Sequence, residues 1–332
     1  MNTSFRASRL SLATLVGILL VVLTSQIVTS ATAFSILTQA AIFALFATGV
    51  GILLKQNGMV SFGHAAFFGI SAYCVAIFLQ ETQLPAELII LISLAATALF
   101  GFALALVIVR VPGIAFAMLT LAFGQLFYQL ALKSRHLTGG ADGISIAWPD
   151  TLFGVSTSTL LENHVIFTIC WIILILTLAL LVGLHHSRFG QTTEAIRDNA
   201  ERATFIGIRP MIPRALVFAL SALITAMAGI LAAFNSGFIS PDSLHWSVSG
   251  TVLMMVVVGG YWNITGPALG AVLYVLTKDW IGDLSTHWLS LFGALLIIIV
   301  VFTDNGISGA LSHLARRTGK TRTTVNTRGE TS

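Results

Sequence analysis

Few side chains in this sequence can do chemistry, and those that can are scattered along apolar runs: His64, Gln125, Gln129, Asn235 and the adjacent Lys278 and Asp279. Gln125 and Gln129 are four apart, so on a helix they share one face and can line a pore or bond a neighbouring helix. His64 is expected near the end of its run, as a satisfied structural residue rather than a ligand. Lys278 can snorkel to a membrane boundary. No serine–histidine pair, metal-ligand cluster or pair of aspartates stands out, and no row of carboxylates suggests proton coupling. Cys74 and Cys170 lie in apolar runs, where thiols act as small hydrophobes. The chemistry on offer is noncovalent: no enzyme, no metal and no cofactor is read here.

The elements that carry these residues follow from composition. The chain is 56% hydrophobic and 9% charged, with a mean hydropathy of +0.92. That excludes an ordinary soluble domain and a disordered one, and indicates an integral membrane protein. A pI of 9.4 raises nucleic acid as a partner. The cations stand instead at the ends of apolar segments, a topology signal that leaves no nucleic-acid partner and makes the lipid bilayer the surroundings. A bilayer core needs about 20 apolar residues per helix. That ruler places spans near 10–30, 34–54, 59–79, 88–109, 112–132, 164–184, 214–235, 246–262, 264–281 and 288–303. The last three are short or interrupted, so eight to ten are expected.

Lys and Arg set the orientation. With ten spans and a cytoplasmic N-terminus, the inside collects Arg6, Arg9, Lys55, Arg110, Arg188, Arg197, Arg202, Arg209, Arg214, Arg316, Arg317, Lys320, Arg322 and Arg328, which is 14 of 17. Lys133 and Arg135 fall outside, with Lys278 near an outer boundary. Both termini are then cytoplasmic. Residues 6–33 imitate a secretory signal, but the apolar stretch exceeds a signal core, and a retained helix is expected. The organisation is one transmembrane domain over 1–314, with an outer loop at 133–163 whose "LTGGADGISIAWPD" marks turns. A basic, disordered tail follows at 315–332. Its "GKT" at 319–321 lacks the first Gly of a phosphate loop, since Leu314 stands there.

One segment breaks the pattern. Residues 187–214 hold eight of the 30 charged side chains: Arg188, Glu194, Arg197, Asp198, Glu201, Arg202, Arg209 and Arg214. Thr192 or Thr193 can cap a helix there, with Glu194 suited to its positive end and Arg202 to its negative end. Ile196, Ala200, Ala203 and Ile206 form a narrow apolar stripe. Gly207 tolerates a left-handed stop, and Pro210 and Pro213 prevent continuation. A short cytoplasmic helix over 193–206 results. It either lies on the membrane or docks in a partner's groove; small residues rimmed by charge favour the groove.

Two apolar segments are interrupted at comparable places in the two halves. Gly58, Ser61, Gly63, His64 and Gly69 interrupt one; Gly259, Gly260, Asn263, Gly266, Pro267 and Gly270 interrupt the other. Broken helices survive in a bilayer only where protein or a water-filled cavity satisfies the freed backbone, and paired breaks point to a translocation path. Close packing through small residues is the alternative. Gly101, in an unbroken span, is expected to tolerate substitution better than Gly63 or Gly260.

Glu194-Ala195-Ile196-Arg197 and "ATFIGI" (203–208) resemble the cytoplasmic coupling loop of ABC-importer permeases, in the branched-chain amino-acid (Liv-type) form. Ala200 stands where the general loop pattern has Gly, and the Gly comes at 207. "NGMVSFGHAAFFGISAY" (57–73), "LTLAFGQLFYQL" (119–130), "LTGGADGI" (137–144), "AGILAAFNSGFISPDS" (228–243) and "MMVVVGGYWNITGPALGA" (254–271) are similar to that family in the same order, over about residues 34–308. "GGYWNITGP" and "FTDNGISG" depart from it. The resemblance implies an all-α polytopic membrane protein with a cytoplasmic coupling helix, in a bacterial inner membrane. It implies a non-catalytic permease subunit for branched-chain or other hydrophobic amino acids, working with ATP-binding cassette ATPase subunits, a second permease subunit in a heterodimer, and an extracytoplasmic solute-binding protein. Glu194, Ala195, Ile196, Arg197, Ala200, Ala203 and Gly207 would then couple to the ATPase. Gly58, Ser61, Gly63, His64, Gln125, Gln129, Gly259, Gly260, Asn263 and Gly266 are the candidate pathway residues. A urea or short-amide importer is the nearest rival, and a self-sufficient secondary transporter or channel is the rival from another class.

Overall fold

A computed structural model describes residues 3–28, 30–111 and 113–282, with further positions between 290 and 309. Nothing but helix can carry an apolar run across lipid without stranding its backbone polar groups. The long helices are α1 (Thr3–Ile27), α2 (Ala31–Asn57), α3 (His64–Glu81), α4 (Ala86–Ile108), α5 (Ile114–Lys133), α8 (Asn163–His185), α11 (Met211–Ser236), α12 (Trp246–Gly259) and α13 (Gly266–Gly282). Short helices α6 (Arg135–Thr138), α7 (Thr157–Leu160), α9 (Arg188–Asp198) and α10 (Ala200–Phe205) lie between them. Among the described residues, α2, α3, α4, α5, α8 and α11 are long and apolar enough to cross a membrane. The chain is an all-α polytopic membrane protein. The tail at 315–332 and most of the span expected at 288–303 lie outside the described residues.

Two-residue strands close one end of the bundle. Strand β1 (Ile144–Ser145) pairs antiparallel with β4 (Phe238–Ile239), and β2 (Thr151–Leu152) pairs with β3 (Val155–Ser156). Helices α9 and α10 lie at the other end, because each long helix reverses the direction of the one before it. Segments 133–163 and 188–209 are thus at opposite ends. Along one flank α1 packs on α8, where Val21, Phe34 and Phe167 are buried together and Gly17 faces Ile175.

The centre is an antiparallel pair, α2 against α11. Helix α11 also packs on α3 and α4, while α2 packs on α8, α12 and α13. Glycines make the pair close: a Cβ at Gly49 would lie 2.8 Å from Thr225 Oγ1 of α11. The two halves repeat each other with reversed direction. Helix α2 ends at Gly58 (φ 65°) and is followed by "GMVS" (58–61); α11 ends at Gly237 (φ 64°) and is followed by "GFIS" (237–240). Both glycines hold the left-handed conformation that stops a helix.

After each stop the chain re-enters the bundle without helix. Residues 58–63 run inward until His64 reaches Ser221, whose hydroxyl donates to the Gly49 carbonyl. Gly49 precedes the end of α2 by eight residues (49 to 57), about 12 Å at 1.5 Å per residue. His64 is therefore deep in the bundle, not near an end as expected, because the span read at 59–79 is unwound over its first turn and a half. The matching break is 237–245. Leu244 abuts Gly69, and the His245 ring lies 4.9 Å from Tyr128. Helix α12 accordingly starts inside the bundle and is only 14 residues long. Residues 259–266, expected as the second interruption inside a span, instead form the tight turn between α12 and α13 at the α9 end.

Candidate functional site

Helix α9 begins about a turn and a half earlier than the threonines suggested. Ser187 is its N-cap, accepting from Gly190 N–H at 3.3 Å, and Thr193 uses its hydroxyl elsewhere. Gly190 lets the helix start press against the Leu184 and His185 carbonyls, where any Cβ would collide. The helix then stops at Asn199, whose backbone is extended (φ −160°, ψ 101°) and whose side chain caps α10 by accepting from Arg202 N–H at 2.9 Å. The single helix expected over 193–206 is thus two, hinged at a residue type that prefers caps.

The hinge redistributes the apolar stripe. Ile196 and Ala203 are buried inside the chain, at 1% and 3% exposure, and Ala200 is half-buried. Phe205 and Ile206 are 89% and 75% exposed. Ala195, Glu201, Arg202 and Arg209 are exposed beside them. Gly207 takes φ 87° and ends α10 in open space, as its type suggested. The outward apolar surface is therefore bulky rather than small.

Toward the bundle, α9 closes a polar node that sequence reasoning missed. Helix α2 ends in Lys55, Gln56 and Asn57, all buried. Thr193 donates to Gln56 Oε1 at 2.7 Å, and Asn57 donates to the Arg214 carbonyl at 3.0 Å. Glu194 Oε1 lies 3.9 Å from Lys55 Nζ and 3.4 Å from His185 Nδ1 at the end of α8. Lys55 donates to the Trp262 carbonyl at 2.6 Å in the α12–α13 turn. Arg197 donates to the Lys55 carbonyl at 2.6 Å and to Asp198 Oδ1 at 2.8 and 3.0 Å, and its guanidinium lies 5.1 Å from the Trp262 ring centroid. Four elements (α2, α8, α9 and the 260–265 turn) are joined through three cations or imidazoles. The available signal was "LKQN", three consecutive polar residues closing an otherwise apolar run.

The candidate pathway residues divide into three groups. Ser61, Gly63 and His64 are buried in the centre. Ser221 commits its proton to the Gly49 carbonyl, so His64 Nε2 donates to Ser221 (2.8 Å) and Nδ1 accepts from Ser61 (2.7 Å). The imidazole is a neutral strut. Ala65 N–H donates to Ser249 Oγ at 2.8 Å, joining the first turns of α3 and α12, and Phe62 N–H donates to Thr120 Oγ1 at 3.2 Å on α5. Two N–H groups at the unwound stretch are thus satisfied by side chains of other helices. Gly259, Gly260 and Gly266 press on one another in the α12–α13 turn, where a Cβ at Gly259 or Gly266 would strike a backbone carbonyl. Asn263 is exposed there, and Gly58 is exposed beside Arg197. Gln125 and Gln129 lie on α5; Gln125 Oε1 is buried without a hydrogen-bond partner and Gln129 is exposed. Among the described residues no three His, Cys, Asp or Glu side chains group as metal ligands.

Comparison with known proteins gives relatives along most of the chain. It is 26% identical over 313 residues to the high-affinity branched-chain amino acid transport system permease protein LivM of Salmonella typhimurium, covering 88% of this chain and 74% of the relative. It is 26% identical over 294 residues to the BraD permease protein of the high-affinity branched-chain amino acid transport system of Pseudomonas aeruginosa, covering 82% and 93%. It is 25% identical over 305 residues to the autoinducer 2 import system permease protein LsrC of Salmonella typhi, covering 89% and 84%. No solved structure matches. The family described as branched-chain amino acid transport system, permease component, matches residues 32–301, and this chain belongs to it.

Proposed function

We infer that this chain is a non-catalytic membrane subunit of an ABC importer for branched-chain or other hydrophobic amino acids. It forms part of the pore with a second permease subunit, receives cargo from an extracytoplasmic binding protein and is driven by separate ATP-binding cassette subunits. The α9–α10 end faces the cytoplasm and both termini lie on that side of a bacterial inner membrane. The transmembrane domain extends over 1–314, and 187–214 is its coupling loop.

The observation that carries this reading is α10. Phe205 and Ile206 project from a polar, charged helix, while its base is tied through α9 to α2, α8 and the α12–α13 turn. Two large apolar side chains rimmed by Glu201, Arg202 and Arg209 suit a protein groove. Phe205→Glu tests it, because an 89% exposed side chain contributes nothing to this chain's own core. Ala203→Glu, on the small-residue stripe, would instead disrupt the chain's own packing, since Ala203 is 3% exposed. The wild-type permease should copurify with its ATPase, and Phe205→Glu should lose most of that ATPase and most uptake while its own abundance in the membrane is unchanged. Full ATPase retention with normal uptake rejects the docking role and leaves Phe205 a lipid contact.

The LivM and BraD likeness supports an aliphatic amino acid as cargo, and the LsrC likeness supports autoinducer 2 as a competitor beside urea or a short amide. Isolating the cognate binding protein and identifying its bound molecule decides among them.

A further inference from the structure

We propose that Trp262 is the residue through which displacement of α9 reaches the α12–α13 hairpin, with Arg197 as its partner. The inference rests on α9–α10 being the ATPase-facing segment. Arg197 carries α9 onto that turn, and its guanidinium is used on every side. One face lies 5.1 Å from the Trp262 ring centroid, Nη1 holds the Lys55 carbonyl, and Nε and Nη2 hold Asp198. Its side chain is 17% exposed, so water does not compete strongly for it. Lys55 makes the second connection, from the Trp262 carbonyl to Glu194 of α9. From α9 the turn is thus held twice, once by ring and once by backbone, while Ser308 donates to the Gly260 carbonyl at 3.4 Å on another side.

What the turn moves is equally defined. Gly259 and Gly266 abut backbone to backbone, and Gly270 abuts the Met255 carbonyl, so α12 and α13 approach too closely to slide independently. Tyr261 stacks on Trp262 with centroids 5.2 Å apart, fixing the ring on the turn. A push on Trp262 therefore acts on both helices together. The inner end of that hairpin bears Ser249, bonded to the first turn of α3 at the bundle centre. Helix α10, by contrast, hangs from the extended Asn199 and makes its own fold's contact chiefly through Ala203. Motion delivered to α10 thus reaches the bundle through α9 as well as along the chain into α11.

The test uses the complete transporter, permeases with ATPase subunits, in liposomes with its binding protein. Cargo moved and ATP hydrolysed are measured together for Trp262→Phe, Trp262→Leu, Arg197→Lys and the Arg197→Lys/Trp262→Leu pair. Phenylalanine keeps an aromatic face for the cation; leucine keeps apolar bulk without it. Trp262→Leu should lower cargo moved per ATP about tenfold, within the usual range of coupling between two sites. Trp262→Phe should recover most of that ratio, and the double variant should be no worse than the more severe single variant. Equal ratios for Phe and Leu would reduce Trp262 to packing and overturn the proposal, as would additive losses in the double variant. Should Trp262→Leu not assemble, a Trp262→Phe ratio well below wild type overturns it, and a near wild-type Phe ratio supports it. A wild-type permease that brings down no ATPase overturns the underlying reading itself, which separates the two failures.

Discussion

Substituting Gly63 by alanine adds one methyl group where helix α5 leaves no room for it. Gly63 has φ −105°, an ordinary value, so the substitution carries no torsional strain. The cost is contact alone. The new Cβ would lie against the Thr120 carbonyl oxygen and 3.2 Å from Thr120 Cβ. A backbone carbonyl inside a helix cannot rotate aside, so α5 must withdraw by about 1 Å, and overpacking of this kind costs about 1–3 kcal/mol. The Phe62 N–H bond to Thr120 Oγ1, already 3.2 Å, stretches with it, adding about 1 kcal/mol. At about 2 °C per kcal/mol for a chain of this size, the apparent unfolding midpoint in detergent should fall by roughly 4–8 °C. The comparison is Gly250→Ala in α12, where a Cβ meets nothing within 4 Å and a helical alanine gains about 1 kcal/mol. Gly101, expected from sequence to be the tolerant position, is unsuitable: its Cβ would lie 2.8 Å from Ala222 Cβ on α11. Thermal midpoints and uptake per folded permease are measured for both variants. A Gly63→Ala midpoint within 1 °C of wild type (, roughly 0.5 kcal/mol) would refute the close approach of α5 to the unwound segment.

Three further outcomes are expected. In a background without Cys74 and Cys170, single cysteines at Glu201 and Ser156, both exposed, should label from opposite sides of the membrane; labelling from the same side sinks the topology. Ser249→Ala should destabilise by about 1–3 kcal/mol, since it leaves the Ala65 N–H buried without its acceptor; an unchanged midpoint would mean that the two first turns do not depend on this bond. Lys55→Met should lower uptake more than Arg110→Met, because Lys55 joins the Trp262 carbonyl to Glu194 whereas Arg110 is exposed and bonds only its own helix at Leu106. Uptake lowered equally by both would show a general effect of surface charge.

Most spans were legible because their physics is local. The runs at 34–54, 88–109, 112–132, 164–184 and 214–235 fall within α2, α4, α5, α8 and α11 to within a few residues, since about 20 apolar residues suffice to declare a membrane helix. Composition does not register unwinding, so the length ruler read 59–79 as one span, and it was Gly58, Ser61 and Gly63 that marked the interruption where the chain is not helical. The second break was misplaced for a related reason. The glycines of 259–266 outnumber those of 237–245, but glycine serves both to unwind a helix and to bring two helices together, and here the denser cluster does the latter. Gly237 and Pro241 were the better signal. At 193–206 the periodicity ran through Asn199, and a cap-forming residue in mid-pattern was the clue to the hinge. The Lys55–Glu194–His185 and Arg197–Trp262 contacts join residues far apart in sequence, and no local pattern carries them.

The depth of the breaks bears on where a solute can pass. An unwound stretch in lipid must hand its N–H and C=O groups either to protein or to water in a cavity. Around 58–65 three of the N–H groups go to protein side chains: Thr120 takes Phe62, Ser61 takes Gly63 at 3.4 Å, and Ser249 takes Ala65. His64, with both nitrogens engaged by serines and no exposure, has nothing left to offer a solute. The breaks therefore serve to let α3 and α12 meet inside the chain, which fixes the reversed repeat around α2 and α11. A wall for solute needs polar groups at an open face, and on α5 Gln129 is exposed one turn beyond Gln125, whose Oε1 is unpartnered. Leu119, Leu126 and Leu130 are exposed on the same helix. An open apolar face that carries the Gln129 amide suits both a second permease subunit and an aliphatic solute with polar ends, so Gln129→Leu on α5 should change uptake rather than the unfolding midpoint.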